Sequence, residues 1–424
     1  MYLRSMRQPN YIEVQRYFME RNWPAFRGWG LSAILPWDQS SLWQPDPQSE
    51  QKVIVNPKRW EGLERPGIVP DRFYPNEQWI YHPSSHGVIP TSLGKAFLRW
   101  NQPRIAFLAG KEEHFTEKSH QFACGEVLRK TVVMVNDSRS TALFHYRLNG
   151  DWGWEQKREV KVQPGRIARV SYTCRLPNDP GKYTITFEAT DEQARKYRDT
   201  FTVHVRPRLA PGKIEVDLYD PANTTAKLFD RLGIVYRKIT TTSSQPHHDI
   251  LVIGREAIDL KTSLPWLKNG NYRRVLILEQ RSEVLQNRLG FRIQEYAVRH
   301  AFIRTPDHPV LKGLDDAWFS HWRGSATLLP PYLPDAETDN PHWFWCGFRN
   351  TRVWRAGNVG TVASVLIEKP STGNFMPLLD CGFDLQYSPL LEYDDSAGTI
   401  LFSQLDITGS SASEPAAATV LIRM

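Results

Sequence analysis

Apolar residues follow three different periods along this chain, and the changes of period divide it. From Tyr11 to Phe26, the residues Ile12, Val14, Tyr17, Phe18 and Trp23 recur at i+3 and i+4 spacing, which predicts an amphipathic helix. The run Phe26-Arg27-Gly28-Trp29-Gly30-Leu31-Ser32-Ala33-Ile34-Leu35-Pro36-Trp37-Asp38 then starts polar, turns apolar through Leu31–Leu35 and stops at Pro36. A run without alternation predicts a strand buried on both faces, as in parallel sheets and barrels. Helix, short turn and buried strand, with Trp37 and Asp38 at the strand's carboxyl end, form the repeating unit of a (β/α) barrel; on periodicity alone one strand of an ordinary α/β domain fits equally well. In the barrel the chemistry sits at those ends.

Gln39–Pro90 has no regular period and is rich in proline and in aromatics: Trp43, Trp60, Phe73, Tyr74, Trp79 and Tyr81. Structureless stretches this long are uncommon inside compact domains and are often functional. Exposed aromatics here suit stacking on the apolar C–H faces of sugars; the alternative is a loop packed by its own rings. His82 and His86 flank Pro83-Ser84-Ser85, a spacing off any helix that fits hydrogen bonding better than metal ligation. Thr91–Trp100 predicts a short helix, with Thr91 as N-cap and Pro103 as its limit.

The period then changes to two. Strands are predicted at Ile105–Leu108, Val127–Val135, Ala142–Leu148, Glu159–Val162, Ile167–Cys174, Lys182–Ala189 and Thr200–Val205. Asn136-Asp137-Ser138, Asn149-Gly150-Asp151, Pro164-Gly165 and Asp179-Pro180-Gly181 supply turns, so this stretch reads as an immunoglobulin-like β-sandwich. Trp152 and Trp154 fit a hairpin cap. Arg206–Gly212 is a linker by composition.

Beyond the linker, strands alternate with helices. Ile214–Tyr219, Ile234–Lys238, Ile250–Ile253 and Val275–Leu278 read as strands, with helices at Thr224–Leu232, ended by Gly233, and Ser282–Leu289, ended by Gly290. That alternation predicts a parallel, doubly wound sheet. Further strands are expected from Val362–Ile367 through Ile400–Leu405, and helix from Ala416 to Met424. Gly254-Arg255-Glu256 and Glu279-Gln280-Arg281 end two strands, where a ligand or nucleophile would sit. Neither carries a Cys or Ser elbow or a Gly-rich phosphate loop.

Composition narrows the classes. The 424 residues allow two to four domains, and 41% hydrophobic and 12% aromatic content with 15 Trp excludes a disordered chain. The net charge of +7 is scattered rather than clustered, so no nucleic-acid partner is expected. No segment approaches the roughly 18 apolar residues of a membrane span. Met1–Ser5 lacks the apolar region of a signal peptide. Cys124, Cys174, Cys346 and Cys381 lie far apart without ligand spacing, so a zinc site is not expected; a Cys124–Cys174 bridge is conceivable, with isolated thiols preferred.

The phrases FRGWGLSAILPWD (26–38), SLGKAFLRWNQPRIAFLAGK (92–111), HPVLKGL (308–314), HWRG (321–324), GFDLQYSPLLEY (382–393) and FSQLDITG (402–409) together resemble the C-terminal part of bacterial beta-galactosidase-like glycoside hydrolases. The resemblance implies a multidomain α/β plus all-β chain: 1–102, the C-terminal remnant of a (β/α)8 barrel; 103–207, an immunoglobulin-like sandwich; 213–424, a doubly wound flavodoxin or class I glutamine-amidotransferase-like domain. Such barrels use two glutamates, about 5–5.5 Å apart in retaining enzymes. With Leu31–Trp37 as the eighth strand, both belong before Met1, and Glu13 and Glu20 lie on a helix. No catalytic residue is therefore expected here. Trp37, Asp38, Trp43, Trp79, His82 and His86 remain as substrate contacts.

Amidotransferases of this fold need a cysteine at the elbow, where this chain has Leu278-Glu279-Gln280-Arg281, and His308 has no evident nucleophile. The last domain is thus expected to be inert and to serve packing or homo-oligomerisation. A carbohydrate is the expected partner, with no metal or cofactor. The compartment stays open, and is secreted or periplasmic if the chain belongs to a polysaccharide-degrading enzyme. The competing reading is a stand-alone carbohydrate-binding or assembly protein.

Overall fold

The first periodic stretch forms helix α1 (Tyr11–Gly28) in the computed structural model, which describes residues 10–33, 40–46, 88–241, 246–264, 272–329, 344–345, 348–349, 359–395 and 398–424. The helix passes the expected end because Phe26 lies three residues from both Trp23 and Trp29, with ring centroids 5.9 and 6.2 Å apart. It stops in a Schellman motif. The Leu31 N–H donates to the Phe26 carbonyl and the Gly30 N–H to that of Arg27, with Gly30 at φ +105°. The expected buried strand is thereby corrected. Phe26–Gly28 are helical, while Leu31, Ser32 and Ala33 are exposed and outside any strand. Glycine and tryptophan here end a helix rather than flank a strand; the rest of that run lies outside the described residues.

Strands β1 (Trp43–Pro45) and β2 (Val88–Pro90) pair antiparallel, Trp43 opposite Pro90. Helix α2 (Ser92–Trp100) follows, with the Thr91 hydroxyl accepting from the Gly94 N–H as N-cap. Helices α1 and α2 pack together through Met19, Leu93 and Ala96.

The all-β stretch comprises β3 (Arg104–Ala109), β4 (Gln121–Ala123), β5 (Val127–Asn136), β6 (Ala142–Gly150), β7 (Glu155–Val162), β8 (Arg166–Arg175), β9 (Gly181–Thr190) and β10 (Lys196–Arg206). These form one sheet of order β3-β5-β8 and another of order β4-β10-β9-β6-β7. The inner faces share a core built on Leu128, Val132, Phe144, Leu148, Ile185 and Phe187. Strand β5 is buried on both faces from Lys130 to Asn136 because Val133 and Val135 point outward against Trp100 and Trp23 of the helices. Trp152 and Trp154 stack at 6.3 Å across the β6–β7 hairpin, with Trp154 also stacked on Tyr172. The described cysteines Cys124, Cys174 and Cys381 are free.

Strands β11 (Glu215–Tyr219), β12 (Val235–Lys238), β13 (Ile250–Ile253) and β14 (Arg274–Leu278) run parallel with the strand Gly398–Ser403. Counted in chain order, their spatial order is 2-1-3-4-5, continued by antiparallel Leu390–Asp395 and Phe375–Pro377. Helix α3 (Thr224–Leu232) ends at Gly233, φ +74°, and shares one face of this sheet with Pro415–Arg423. The helix Ser282–Asn287 packs on the other face through Val284 and Leu285. The central strands β13 and β14 are thus covered on both sides, which explains their apolar runs, while the edge strand β12 stays mostly exposed. The chain as a whole is β-rich and mixed α/β, with separate cores in the sandwich and in the parallel-sheet unit.

Arg27 joins the helices to the sandwich. It has no exposed surface and donates to the carbonyls of Trp100 and Gln102 at 2.7 and 2.9 Å, and to Asp137 at 2.8 Å. Removing one partner of a buried ion pair is costly because the other keeps its desolvation penalty. We expect Arg27→Ala to lower unfolding free energy by about 3 kcal/mol, read by urea denaturation. A loss below about 0.5 kcal/mol, the range of ordinary surface substitutions, would show that Arg27 does not hold the helices.

Candidate functional site

Ligands of open α/β sheets bind beyond the carboxyl ends of the strands, at the point where strand order reverses. Here that point lies between β11, which leads into Asp220, and β13, which leads into Gly254-Arg255-Glu256. Beside them, β14 runs into Glu279 and Gln280, and the strand Gly398–Ser403 into Gln404 and Asp406. Gly254 is needed for close approach: a Cβ there would lie 2.8 Å from the Thr225 hydroxyl and 3.0 Å from Asp220.

The edge is closed by its own polar groups. Asp220 accepts from the Ala226 N–H at 2.8 Å, in the first turn of α3. The Thr225 hydroxyl accepts from the Arg255 N–H at 2.9 Å, and the Arg255 guanidinium donates to the Thr327 carbonyl at 2.6 Å. Gln404 exchanges two bonds with the Gln280 backbone, accepting at 2.8 Å and donating at 3.0 Å. A side-chain amide thus extends the β-ladder one step beyond its last strand residues. The Gln280 side chain in turn donates to the Gly254 carbonyl and accepts from the Ile258 N–H.

Glu279 directly follows β14 and has no exposed surface. One carboxyl oxygen accepts from the Thr408 N–H at 2.7 Å and hydroxyl at 2.9 Å; the other has no partner among the described residues. Burial, aided by nearby Asp406, pushes its pKa up to about 8. Burial also raises Asp406, although the Thr327 N–H and Ser364 hydroxyl donate to it. Glu414, the N-cap of the last helix, is raised by burial to about 7. Near neutral pH Glu279 is therefore a neutral, sequestered acid. Ordinary turnover needs a group that reaches its substrate, and this one does not.

Sequence reasoning singled out Glu279 and Arg255 but not their partners Thr408, Thr327 and Asp406, which come from segments 70 or more residues away by the numbering. His308 bonds Glu392 at 3.0 Å and accepts from the Val310 N–H at 3.3 Å, so its ring is committed to a structural pair. Trp43 is half-buried against the packed surfaces of α1 and α2, which takes up part of the face expected for sugar stacking. Trp37, Asp38, Trp79, His82 and His86 lie outside the described residues. Among the described residues, no group of three or more His, Cys, Asp or Glu is arranged to hold a metal ion. No described helix is long and apolar enough to cross a membrane.

A separate cleft of about 380 Å³ opens where α2 meets the sandwich. Arg99, Arg104, Arg195, Lys196 and Arg198 wall it, with Trp100 and Tyr197. Arg104 is neutralised by Asp191 and Glu192 at 3.1 and 2.6 Å. The Arg99 guanidinium lies 4.4 Å over the Trp100 ring.

No family model matches the chain, and no curated protein does. Some solved structures align to parts of it. The CARDB domain of a Pyrococcus furiosus protein in complex with di-metal ions is 13% identical over 24% of this chain and 87% of its own, at a TM-score of 0.20. Escherichia coli alpha-2-macroglobulin is 17% identical over 26% of this chain and 8% of its own, at 0.21. Alkylpurine DNA glycosylase from Pseudomonas fluorescens, bound to DNA containing an abasic site analog, is 7% identical over 27% of this chain and 34% of its own, at 0.17.

A carboxyl whose pKa is raised by folding contributes its full share of stability below its unfolded value, and loses that share as pH rises through the folded one. For Glu279 the window runs from 4.5 to about 8. Glu279→Gln keeps the acceptor for Thr408 and removes the titration. Its stability relative to wild type is expected to gain about 3 kcal/mol between pH 5 and pH 8, read by urea denaturation at both pH values. Parallel pH profiles for the two proteins would mean that Glu279 is ionised throughout.

Proposed function

We propose that this chain is the accessory region of a beta-galactosidase-like glycoside hydrolase acting on a polysaccharide or oligosaccharide. In this reading 1–102 contributes the closing helices of a (β/α)8 barrel, 103–207 is an immunoglobulin-like sandwich, and 213–424 is an inert flavodoxin or amidotransferase-like domain. The observation that carries it is the order of units. A two-sheet sandwich, antiparallel except where β4 joins β10, is followed by a 2-1-3-4-5 parallel sheet, whose elbow position holds the sealed acid Glu279 in place of a thiol. The catalytic glutamates belong to sequence outside these residues. Trp37, Asp38, Trp43, Trp79, His82 and His86 supply sugar contacts, and the parallel-sheet unit supports packing or association of copies.

The purified chain is expected to give no turnover of nitrophenyl glycosides or polysaccharides. Turnover that survives purification and falls with Trp37→Ala would overturn the non-catalytic reading.

The cleft beside α2 favours a second reading, a carbohydrate-binding protein in its own right, since guanidinium groups beside aromatic rings suit polar saccharides. Affinity electrophoresis through galactan, xylan and agar separates the two. Retardation lost in an Arg195→Glu, Lys196→Glu double variant supports binding at the cleft, and unretarded migration contradicts it.

A further inference from the structure

The junction between the sandwich and the parallel-sheet unit gathers imidazoles and cations from several segments. His120 precedes β4, His204 lies on β10, and His300 and His321 come from the facing unit. Ring centroids are 5.2 Å apart for His120–His204, 6.2 Å for His120–His321 and 4.4 Å for His300–His321. The Ser320 hydroxyl lies 3.3 Å from His120 Nε2.

Three observations set this cluster apart from ordinary packing. First, cations outnumber acids around it. The charges acting on His300 are those of Arg21, Arg299 and Lys118, and those acting on His321 come from the other histidines, Arg21 and Lys118. Two acids oppose them, Asp199 acting on Lys118 and Asp315 on His204 and Arg206. Second, His321 Nε2 is buried without a hydrogen-bond partner among the described residues. Such an atom costs stability unless a ligand or water completes it. Third, His321 holds φ at +48°, in the left-handed region, fixed by its N–H donating to the Arg299 carbonyl at 2.8 Å. Side chains avoid that region at a cost of order 1 kcal/mol, and such strain gathers at ligand sites.

Excess positive charge repels a metal ion and attracts an anion. Arg21 and Lys118 keep exposed surface, although burial pulls the Lys118 ammonium down to about 8, so that lysine carries its full charge only at the lower pH. We propose that this junction binds a doubly charged tetrahedral oxyanion, sulfate or phosphate, free or as an ester on a larger ligand, with His321, His300 and Lys118 as its contacts. The proposal does not depend on the glycosidase reading. Burial and neighbouring cations hold the free histidines low, His120 and His300 at about 4 and His321 at about 2. An anion among them favours the protonated form, so binding takes up protons and tightens as pH falls.

The test is calorimetric titration of the whole chain with inorganic sulfate and with inorganic phosphate at pH 8 and pH 6, at constant ionic strength in chloride. A sulfated galactan oligosaccharide forms a third arm. The variants are Lys118→Gln, at an exposed position, and His321→Gly, which suits the positive φ. Binding is expected for both ions, tighter at pH 6 for sulfate, which keeps its double charge at both pH values while phosphate becomes mostly a monoanion, and weakened about tenfold in each variant through loss of a charge-assisted hydrogen bond. Tighter binding of the oligosaccharide than of sulfate identifies an ester as the ligand; equal or weaker binding identifies the free ion. The proposal is overturned if neither ion binds beyond the chloride control, or if Lys118→Gln and a folded His321→Gly bind like wild type. Should His321→Gly not fold, Lys118→Gln decides alone.

Discussion

A carboxyl group removed from water must be neutralised or fully hydrogen-bonded. That constraint shapes the carboxyl edge of the parallel sheet, where Glu279, Asp406 and Glu414 have no exposed surface. Glu279 leans on Thr408, Asp406 on Thr327 and Ser364, and Glu414 on the backbone N–H groups of Arg323 and Ala416. Each bond ties a strand end to a segment distant in sequence. The edge that carries ligands in many open sheets is here spent on holding the unit together.

The same chemistry joins the units. Arg323 donates to Glu126 of the sandwich while its backbone N–H serves Glu414, so one residue couples the sealed edge to the neighbouring domain. Arg206 lies 3.8 Å from the Trp318 ring centroid, adding a contact between the same two units. At the other end of the sandwich, Arg27 fixes α1 and α2 to the outer face of β5. Guanidinium groups suit these junctions because one planar head bonds several acceptors at once. The result is an assembly of braced modules.

Much of this fold was legible because local signals agreed with tertiary packing. The period-two stretches fall on the sandwich strands, Thr91 caps α2, and Gly233 ends α3 in the left-handed region only glycine enters freely. The run after Phe26 was misleading for a physical reason. A burst of apolar residues beside glycine is the signature both of a buried strand and of a Schellman helix end, and the i+3 ring contacts of Phe26 decide for the helix. The sealed edge was half legible: strand ends pointed to Arg255 and Glu279, but their partners come from loops that periodicity does not place. The junction histidines gave no signal, since His120, His204, His300 and His321 share no spacing, and only tertiary packing brings them together.

The account turns on Glu279 being a neutral, inaccessible acid at the elbow position. Infrared difference spectroscopy of wild type against Glu279→Gln at neutral pH reads this directly through the carbonyl stretch of a protonated carboxyl. The account predicts such a band in wild type, shifted little by heavy water because the group is sealed, and absent from the variant. A carboxylate band at that pH, or a protonated band unchanged by the substitution, would contradict it.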